Sequence, residues 1–291
     1  MIKNFLIFYL KKLPLTKLKL LVANFLYRLV KLFIRNDIRT VTRKGIRYEL
    51  DLSEGIDLSL YIFRNFQNHI TGNRYIKLPK SPVILDIGAN IGSMALSFAA
   101  TWEKSIVYAL EPSDYSYQRL LTNLELNPRL KNRINPFKIF MSDTNHQKAE
   151  GMVYSSWKID KKHKNRHPVH GGIKTLVTQV KTLTLDVFCN NNDINHIDLI
   201  KIDTDGHEYR VLKGAETTLQ TKRPIIIFEI GTYIMLEQKL SFKDYYSFLN
   251  DLNYNLFSIQ DNLEITLENF QSIIPTLSTI DIIAIPKKII V

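Results

Sequence analysis

The chain has 291 residues, 45% of them hydrophobic, which is enough to bury a substantial core in one large domain with an appendage or in two small domains. Its single cysteine, Cys189, excludes an internal disulfide and a cysteine-based zinc cluster, and it favours a reducing, cytoplasmic location. The formal net charge of +11 resides in residues 1–47, which hold 12 Lys and Arg and one acid. Of the totals of 39 basic and 28 acidic residues, 27 of each remain for residues 48–291. This neutral body predicts no nucleic-acid partner, because nucleic-acid enzymes usually carry a basic surface around their cleft.

Residues 1–47 are predicted to form a basic, amphipathic, helical arm. After Pro14, apolar residues recur at spacings of three and four, and basic or amide residues form the opposite stripe. The apolar set is Leu18, Leu21, Val22, Phe25, Leu29 and Phe33, and the polar set is Lys17, Asn24, Arg28, Lys31 and Arg35. The basic residues interrupt the apolar run before the roughly 20 residues of a membrane span accumulate. Two interpretations stay open: residues 15–35 contact an anionic membrane surface peripherally, or the helix packs on the protein body.

After a lead-in segment at 48–79, strand-like and helix-like segments alternate through residues 80–291. Strands are predicted over 82–88, 105–112, 134–143, 196–206 and 224–230, with closing strands at 254–260 and 279–286. Helices are predicted over 93–100, 114–127, 207–220 and 241–252. Strands dense in apolar residues and separated by helices predict an α/β fold with a mostly parallel sheet buried on both faces. The ligand is expected at the carboxyl ends of its strands.

The segment 144–180 breaks this alternation and is predicted to be a long exposed loop on or near the functional face. It carries His146, His163, His167 and His170, and the H-x3-H-x2-H spacing is one that can bind a metal. Its lysine and arginine content favours a solvated loop, so no metal is predicted there. Trp157 either stacks on a sugar face or anchors the loop.

The stretch "VILDIGANIG" predicts a nucleotide-binding turn between a strand and a helix. The strand ends in Asp86, and glycines at 88 and 92 let the backbone approach a ligand. The dinucleotide pattern G-x-G-x-x-G is matched at Gly88, but Asn90 and Ser93 occupy the other two glycine positions. Taken alone, the turn leaves three alternatives open: a damaged dinucleotide site, a site for a different nucleotide-like cofactor, or a strand that simply turns into a helix.

Two further acids follow the next two strands. Glu111 lies in the window after the glycine turn where an acid accepts both ribose hydroxyls of a nucleoside. Asp143, at the end of the third strand, is placed to meet an adenine amino group, although "SD" is also an ordinary turn. Together with the turn, these acids predict a nucleoside site.

The stretch "KIDTDGHE" concentrates ionisable groups where the fourth strand turns into a helix. A structural account exists, with Asp205 as helix N-cap and Glu208 favouring the helix N-terminus. That account leaves Lys201, Asp203 and His207 unexplained, so a functional role is predicted for this turn.

The motifs "ILDIGANIG", "ALEPS", "NLELN", "LTLD", "IDLIKIDTDGHEYRVLKGA" and "PIIIFEI" resemble, in this order, those of the FkbM-type methyltransferases. The resemblance runs from about residue 82 to 230, and it departs at Asp205, where the family usually shows a glutamate. It implies the class I Rossmann-like methyltransferase fold, a final antiparallel strand and S-adenosylmethionine as cofactor. It also implies methyl transfer to an oxygen, on a sugar, glycan or other small-molecule or lipid-linked acceptor.

On this interpretation the cofactor contacts the first three strand ends. Its methionine carboxylate would face the glycine turn, its ribose Glu111, and its adenine Asp143. The predicted cofactor-binding residues are Asp86, Gly88, Asn90, Gly92, Glu111 and Asp143.

The chemistry is an in-line displacement, in which the enzyme positions the acceptor and removes its proton. His207 is the predicted base, because imidazole exchanges protons near neutral pH. Asp203, Asp205 or Glu208 would orient it or hold the acceptor. In an alternative mechanism, Asp203 and Glu229 share a divalent cation that acidifies the hydroxyl.

Three rival functions remain at this stage. An NAD-dependent oxidoreductase explains the glycine turn and Glu111, but leaves "KIDTDGHE" unexplained. Amino-methylating DNA enzymes commonly place N/D-P-P-Y/F where this chain has "DTDG", to receive a flipped base. The third rival is a non-catalytic interaction module at a membrane surface.

Overall fold

A computed structural model describes residues 17–34, 36–63, 67–155, 173–274, 276 and 279–288. The chain divides into two compact units. The first comprises Met1–Phe66 with Tyr154–Thr175, and the second comprises Gln67–Val153 with Leu176–Val291. The predicted lead-in segment at 48–79 is therefore divided between the two units.

The first unit contains a helix, a hairpin and a second helix. They are α1 Lys17–Phe33, β1 Ile38–Arg43, β2 Ile46–Asp51 and α2 Gly55–Phe63. β1 and β2 pair antiparallel, and their tight turn is formed by Lys44 and Gly45, both at positive φ. Two successive residues of this conformation match the right-handed twist of a hairpin. Within the described residues, the helical arm predicted over 1–47 is helical over Lys17–Phe33, and the hairpin follows this helix.

The second unit contains the alternating strands and helices. Its strands are β3 Val83–Ile87, β4 Ile106–Leu110, β5 Ile134–Phe137, β6 Ile139–Met141, β7 His146–Ser155, β8 Ile173–Leu183, β9 Leu199–Ile202, β10 Ile225–Ile230, β11 Tyr254–Ser258 and β12 Ile280–Pro286, with β7 and β8 running a few residues into the other unit. Its helices are α3 Asn68–Thr71, α4 Ser93–Thr101, α5 Asp114–Glu125, α6 Pro128–Lys131, α7 Leu185–Asn191, α8 Glu208–Lys213, α9 Glu216–Lys222, α10 Thr232–Glu237, α11 Phe242–Asp251 and α12 Phe270–Ile273.

Seven strands form the central sheet, in the order β11-β12-β10-β9-β3-β4-β5. β12 runs antiparallel to both of its neighbours, whereas β3, β4, β5, β9 and β10 are parallel. The chain leaves β3 toward β4 on one side and returns on the other side with β9, so β3 lies at the topological switch point. This order, with its antiparallel final strand, is the class I methyltransferase fold and confirms the predicted fold class. Ligands of open α/β sheets bind outside the carboxyl ends of the strands at such a point.

The core is built on the central strands of this sheet. Leu85, Ile200 and Phe228 are fully buried, one each on β3, β9 and β10. These three strands are mostly apolar because both of their faces are buried, as happens where helices cover both sides of a parallel sheet. The rigid centre of the sheet therefore positions whatever side chains follow these strands.

The predicted loop over 144–180 contains two strands, β7 and β8, which join β6 in a three-stranded sheet of order β6-β8-β7. Only His146 of the four predicted loop histidines lies in the described part of the chain, where it is exposed at the start of β7. Trp157, His163, His167 and His170 lie outside the described residues.

The helix predicted over 207–220 is interrupted at Gly214. A Cβ at this position would lie 2.1 Å from the carbonyl oxygen of Ser142. The backbone between α8 and α9 therefore packs directly against the residue that follows β6. The third predicted strand divides at Lys138 into β5 and β6.

Candidate active site

The carboxyl edge of the central strands brings together acids that lie far apart in the sequence. Asp86 lies on β3, Glu111 follows β4, Asp203 follows β9 and Glu229 lies near the end of β10. β3 pairs with both β4 and β9, and β10 pairs with β9, so these four acids line one continuous edge.

Gly88 and Gly92 are required by the geometry of the turn after β3. Each has a φ of +81°, and a Cβ on Gly88 would lie 1.8 Å from the Asp203 carbonyl oxygen. A Cβ on Gly92 would lie 2.4 Å from the Leu120 side chain. Asn90 also has a positive φ, of 50°, and its buried side-chain oxygen has no hydrogen-bond partner among the described residues. The turn therefore presses against β9 and leaves a polar atom unsatisfied.

Glu111 is held by the backbone of two turns. Its carboxylate oxygens accept hydrogen bonds from the Asn90 and Ser113 amides, each at 2.9 Å. Burial raises the pKa of Glu111 from its ordinary value of 4.5 to about 7, and the charges of Asp86 and Asp203 act in the same direction. The carboxylate is thus fixed in orientation, while each oxygen retains acceptor capacity for a ligand hydroxyl.

A buried lysine links the ends of β3 and β9. Lys201 is 3% exposed, and its Nζ lies 2.8 Å from Asp203 Oδ2 and 3.9 Å from Asp86 Oδ1. Burial lowers the pKa of Lys201, but the two carboxylates outweigh burial and hold this pKa above its ordinary value. The pKa of Asp86 is raised to about 6 because it is fully buried, although the Lys201 charge opposes this shift.

Glu208 organises the turn that follows β9. One of its oxygens accepts hydrogen bonds from the Thr204 amide at 2.9 Å and the Thr204 hydroxyl at 3.0 Å, and the Gly206 amide donates to the carboxylate at 3.0 Å. This fully buried carboxylate holds the turn in which Asp205 adopts a positive φ of 51°. The contacts of Glu208 lie within this turn, and Asp205 occupies a sparsely populated conformation of a kind that often marks a functional site.

Asp203, Asp205 and Glu229 form a carboxylate cluster, in which one oxygen from each lies within 4.8 Å of the other two. The pKa values of Asp205 and Glu229 are raised well above their ordinary range by burial and by the neighbouring carboxylates. Asp203 differs, because bonds from Lys201 and Gln67 overcome the effect of burial and lower its pKa. The cluster therefore combines a charged carboxylate with two that bind protons more tightly.

His207 and Asp143 flank this region. His207 is the N-cap residue of α8, and its ring makes an edge-on contact with Phe140 at a centroid distance of 5.2 Å. Asp143 is exposed after β6, and its carboxylate accepts a hydrogen bond from the Ser142 hydroxyl at 3.0 Å.

Four polar residues at this edge were missed by the sequence reasoning. Gln67 donates to Asp203 Oδ2 at 3.3 Å, and His69 Nε2 lies 2.8 Å from Asp281 Oδ2. Asp281 on β12 is directly opposite Glu229 on β10. Thr279, just before β12, donates its hydroxyl hydrogen to the Glu229 carboxylate. An acid within the apolar run "TIDIIAIP" is a sequence signal that could have revealed Asp281.

The order and direction of the strands in the central sheet define the fold class, that of the class I methyltransferases. The chain belongs to the FkbM methyltransferase family, and the family's Methyltransferase FkbM domain matches residues 86–256.

Two curated methyltransferases illustrate the relationship. The hexuronic acid methyltransferase AglP of Haloferax volcanii is 24% identical over 145 residues, which cover 50% of this chain and 54% of AglP. The 2-O-methyltransferase NoeI of Sinorhizobium fredii is 29% identical over 168 residues, which cover 55% of this chain and 67% of NoeI. The chain thus spans about half the length of AglP and two thirds of NoeI.

Among solved structures, methyltransferase FkbM from Methylobacillus flagellatus aligns with 71% of this chain and 44% of its own. The TM-score is 0.44 and the sequence identity is 16%.

Proposed function

We propose that this chain transfers a methyl group from S-adenosylmethionine to a hydroxyl on a sugar, glycan or other small-molecule or lipid-linked acceptor. The observation that carries the proposal is the cluster of Asp203, Asp205 and Glu229 beside the glycine turn, because it supplies proton acceptors where a hydroxyl would have to be activated. The names of AglP and NoeI, which specify a hexuronic acid and a 2-O position, support a sugar hydroxyl as acceptor.

The residues of the first two strand ends fit the cofactor. Glu111 would accept the ribose hydroxyls with an oriented carboxylate, and the unsatisfied oxygen of Asn90 offers a further acceptor. Asp86, at the end of β3, would belong to the cofactor site below the glycine turn. Asp143 would lie nearest the adenine. When bound, S-adenosylmethionine supplies an electrophilic methyl group with a good leaving group.

Asn90 also argues against NAD. A dinucleotide pyrophosphate needs bare backbone at the second glycine position, and here a side chain with a buried oxygen occupies it. This feature, together with family membership, favours the methyl donor over the oxidoreductase alternative.

The acceptor hydroxyl has to lose its proton during the reaction, and a base works best when its pKa lies near the working pH. Asp205 and Glu229 have raised pKa values and suit this task, whereas the paired Asp203 suits orienting the acceptor. His207 remains our first candidate for the base, and Asp205 and Glu229 are the carboxylate alternatives. Glu208 acts by holding the turn that presents Asp205 and His207.

A divalent cation is a second candidate for activating the hydroxyl. Three carboxylate oxygens within 4.8 Å of one another form the hard donor set that Mg²⁺ prefers, and a cation there would relieve their repulsion. Turnover measured with EDTA and then with added Mg²⁺ separates the mechanisms. Turnover that persists in EDTA supports protein bases alone, and turnover restored only by Mg²⁺ supports the cation.

The function is tested by incubating the full chain with S-adenosylmethionine labelled in its methyl group and a panel of glycosides of hexuronic acids and neutral sugars. We expect label in an alkali-stable methyl ether, and we expect His207→Ala and Glu111→Ala each to abolish transfer while remaining folded. His146→Ala, at an exposed histidine on β7, is the matched control and should retain full activity.

The proposal fails if no hydroxyl acceptor is labelled, and the site assignment fails if turnover survives both substitutions. We also propose a cytoplasmic location, since the only cysteine, Cys189, is a buried free thiol.

A further inference from the structure

We propose that the outward face of α1 docks on an anionic membrane surface. Four large apolar side chains lie on this face, and their exposed fractions are 61% for Phe25, 39% for Leu29, 74% for Leu32 and 86% for Phe33. Successive residues of an α-helix are about 100° apart, so these four fall within an arc of about 100°. We call them the α1 stripe. Contiguous exposed apolar residues of this size mark an interaction surface.

The opposite face of α1 is the one held by the protein. Tyr27 is buried, and its hydroxyl donates to Asp37 Oδ1 at 3.0 Å, while Lys31 Nζ bonds the same oxygen at 3.0 Å. The apolar face was expected to cover the body if the helix packed there. Instead, its polar face is tied down, so the α1 stripe points to solvent in the described part of the chain.

Charge identifies the occupant of this surface. Residues 1–47 hold 12 Lys and Arg, and their one acid is Asp37, which is engaged by Tyr27 and Lys31. Arg28 is exposed beside the α1 stripe. A second copy of the chain would bring two such basic segments together, which is unfavourable. An anionic lipid surface attracts each basic residue and accepts the apolar side chains between its headgroups.

The geometry fits a helix lying in the plane of the membrane. α1 has 17 residues, and Phe25, Leu29 and Phe33 lie on three successive turns of its apolar side. None of the helices described has the length and continuous apolarity needed to cross a bilayer. Peripheral binding would place the enzyme where lipid-linked acceptors are found, although the docking itself does not depend on methyl transfer.

The test is flotation of the full chain with vesicles of phosphatidylcholine alone or with about 30% phosphatidylglycerol, at low and high salt. We expect binding to the anionic vesicles only, weakened by salt. The triple variant Leu29→Gln, Leu32→Gln, Phe33→Gln should bind at least about tenfold more weakly, as should Arg28→Glu. The matched control replaces Leu236 and Leu263, exposed residues of the second unit, with glutamine and should bind like the wild type.

Circular dichroism establishes that the variants are folded, and light scattering reports their oligomeric state. The proposal is overturned if anionic vesicles do not bind the wild type, or if the triple variant binds them equally well. It is also overturned if the triple substitution converts a dimer to a monomer without changing flotation, because a second copy would then occupy the α1 stripe.

Discussion

Glu111 illustrates how a backbone cage sets the chemistry of one side chain. Two amides fix both of its oxygens, and burial beside Asp86 and Asp203 raises its pKa to about 7. Only the ionised form can accept hydrogen bonds from two ribose hydroxyls with both oxygens. The same carboxylate therefore opposes folding and favours ligand binding as the pH rises.

This conflict gives opposite pH trends for stability and affinity. Between pH 4.5 and about pH 7, the folded protein binds more protons at Glu111 than the unfolded chain does. The contribution of Glu111 to the free energy of unfolding is therefore greatest at low pH and falls as the pH rises. Relative to Glu111→Gln, we expect the wild type to lose on the order of 3 kcal/mol of unfolding free energy between pH 5 and 8. Urea unfolding at several pH values measures this difference.

Affinity for S-adenosylhomocysteine should move the other way, rising with pH up to about 7 in the wild type and staying flat in Glu111→Gln. Calorimetric titration between pH 6 and 8 provides the measurement. A wild-type affinity that is independent of pH, with no stability difference, would contradict this role for Glu111.

Lys201 makes a contribution to the free energy of unfolding that a single substitution can measure. Lys201→Met leaves the Asp86 and Asp203 carboxylates without their shared cation, and removing one partner of a buried pair costs about 3 kcal/mol or more. Lys213→Met is the matched control, because the pair between Lys213 and Glu216 is exposed and worth less than about 1 kcal/mol. Equal losses of unfolding free energy in the two variants would refute the importance assigned to Lys201.

At the scale of elements, the turn after β3 depends on contact with the end of β9. Gly88→Ala would place a Cβ 1.8 Å from the Asp203 carbonyl oxygen, whereas Gly45→Ala has a similar φ and open space around it. The conformational penalty is about 1–2 kcal/mol at either position, but Gly88→Ala adds a clash and should cost at least about 3 kcal/mol.

Gly88→Ala should also abolish binding of S-adenosylhomocysteine, and Gly45→Ala should leave it intact. Thermal unfolding and calorimetric titration of both variants measure these effects. Tight binding by Gly88→Ala would mean that the turn can move away from β9 without harm to the site.

The elements that could be predicted from the sequence are those whose pattern is local. The mostly apolar sequences of β3, β9 and β10 predicted buried parallel strands, because both faces of each strand are covered. β7 and β8 were missed, since their frequent Lys, Thr and Gln residues resemble a loop. The helix break at Gly214 lies where the backbone packs against the carbonyl oxygen of Ser142. This is a tertiary contact that no local sequence pattern contains.

The same distinction applies to the site. Asp203, Asp205 and Glu229 follow or end predicted strands, so their meeting at one edge follows from the parallel topology. Gln67 and His69 lie in and beside a four-residue helix of the lead-in segment, whose position only the folded chain determines. The roles of His207, Asp143 and Glu208 stay predictions, and the structure adds that the Glu208 carboxylate accepts hydrogen bonds from the Thr204 and Gly206 amides.

At the scale of the whole molecule, charge and chemistry are separated along the chain. The basic excess lies within residues 1–47, and the acids of the candidate site belong to the second unit. The proposed membrane surface and the proposed methyl transfer therefore rest on different residues and can be tested independently. Loss of vesicle binding in the α1 stripe variant should leave affinity for S-adenosylhomocysteine unchanged.

The central claim is that the carboxyl edge of β3 and β4 binds the nucleoside of a methyl donor, and calorimetric titration of the purified chain tests it most directly. We predict saturable binding of S-adenosylhomocysteine with one site per chain, loss of this binding in Glu111→Ala, and no binding of NADH. Saturable binding of NADH, with no response to S-adenosylhomocysteine, would contradict the account.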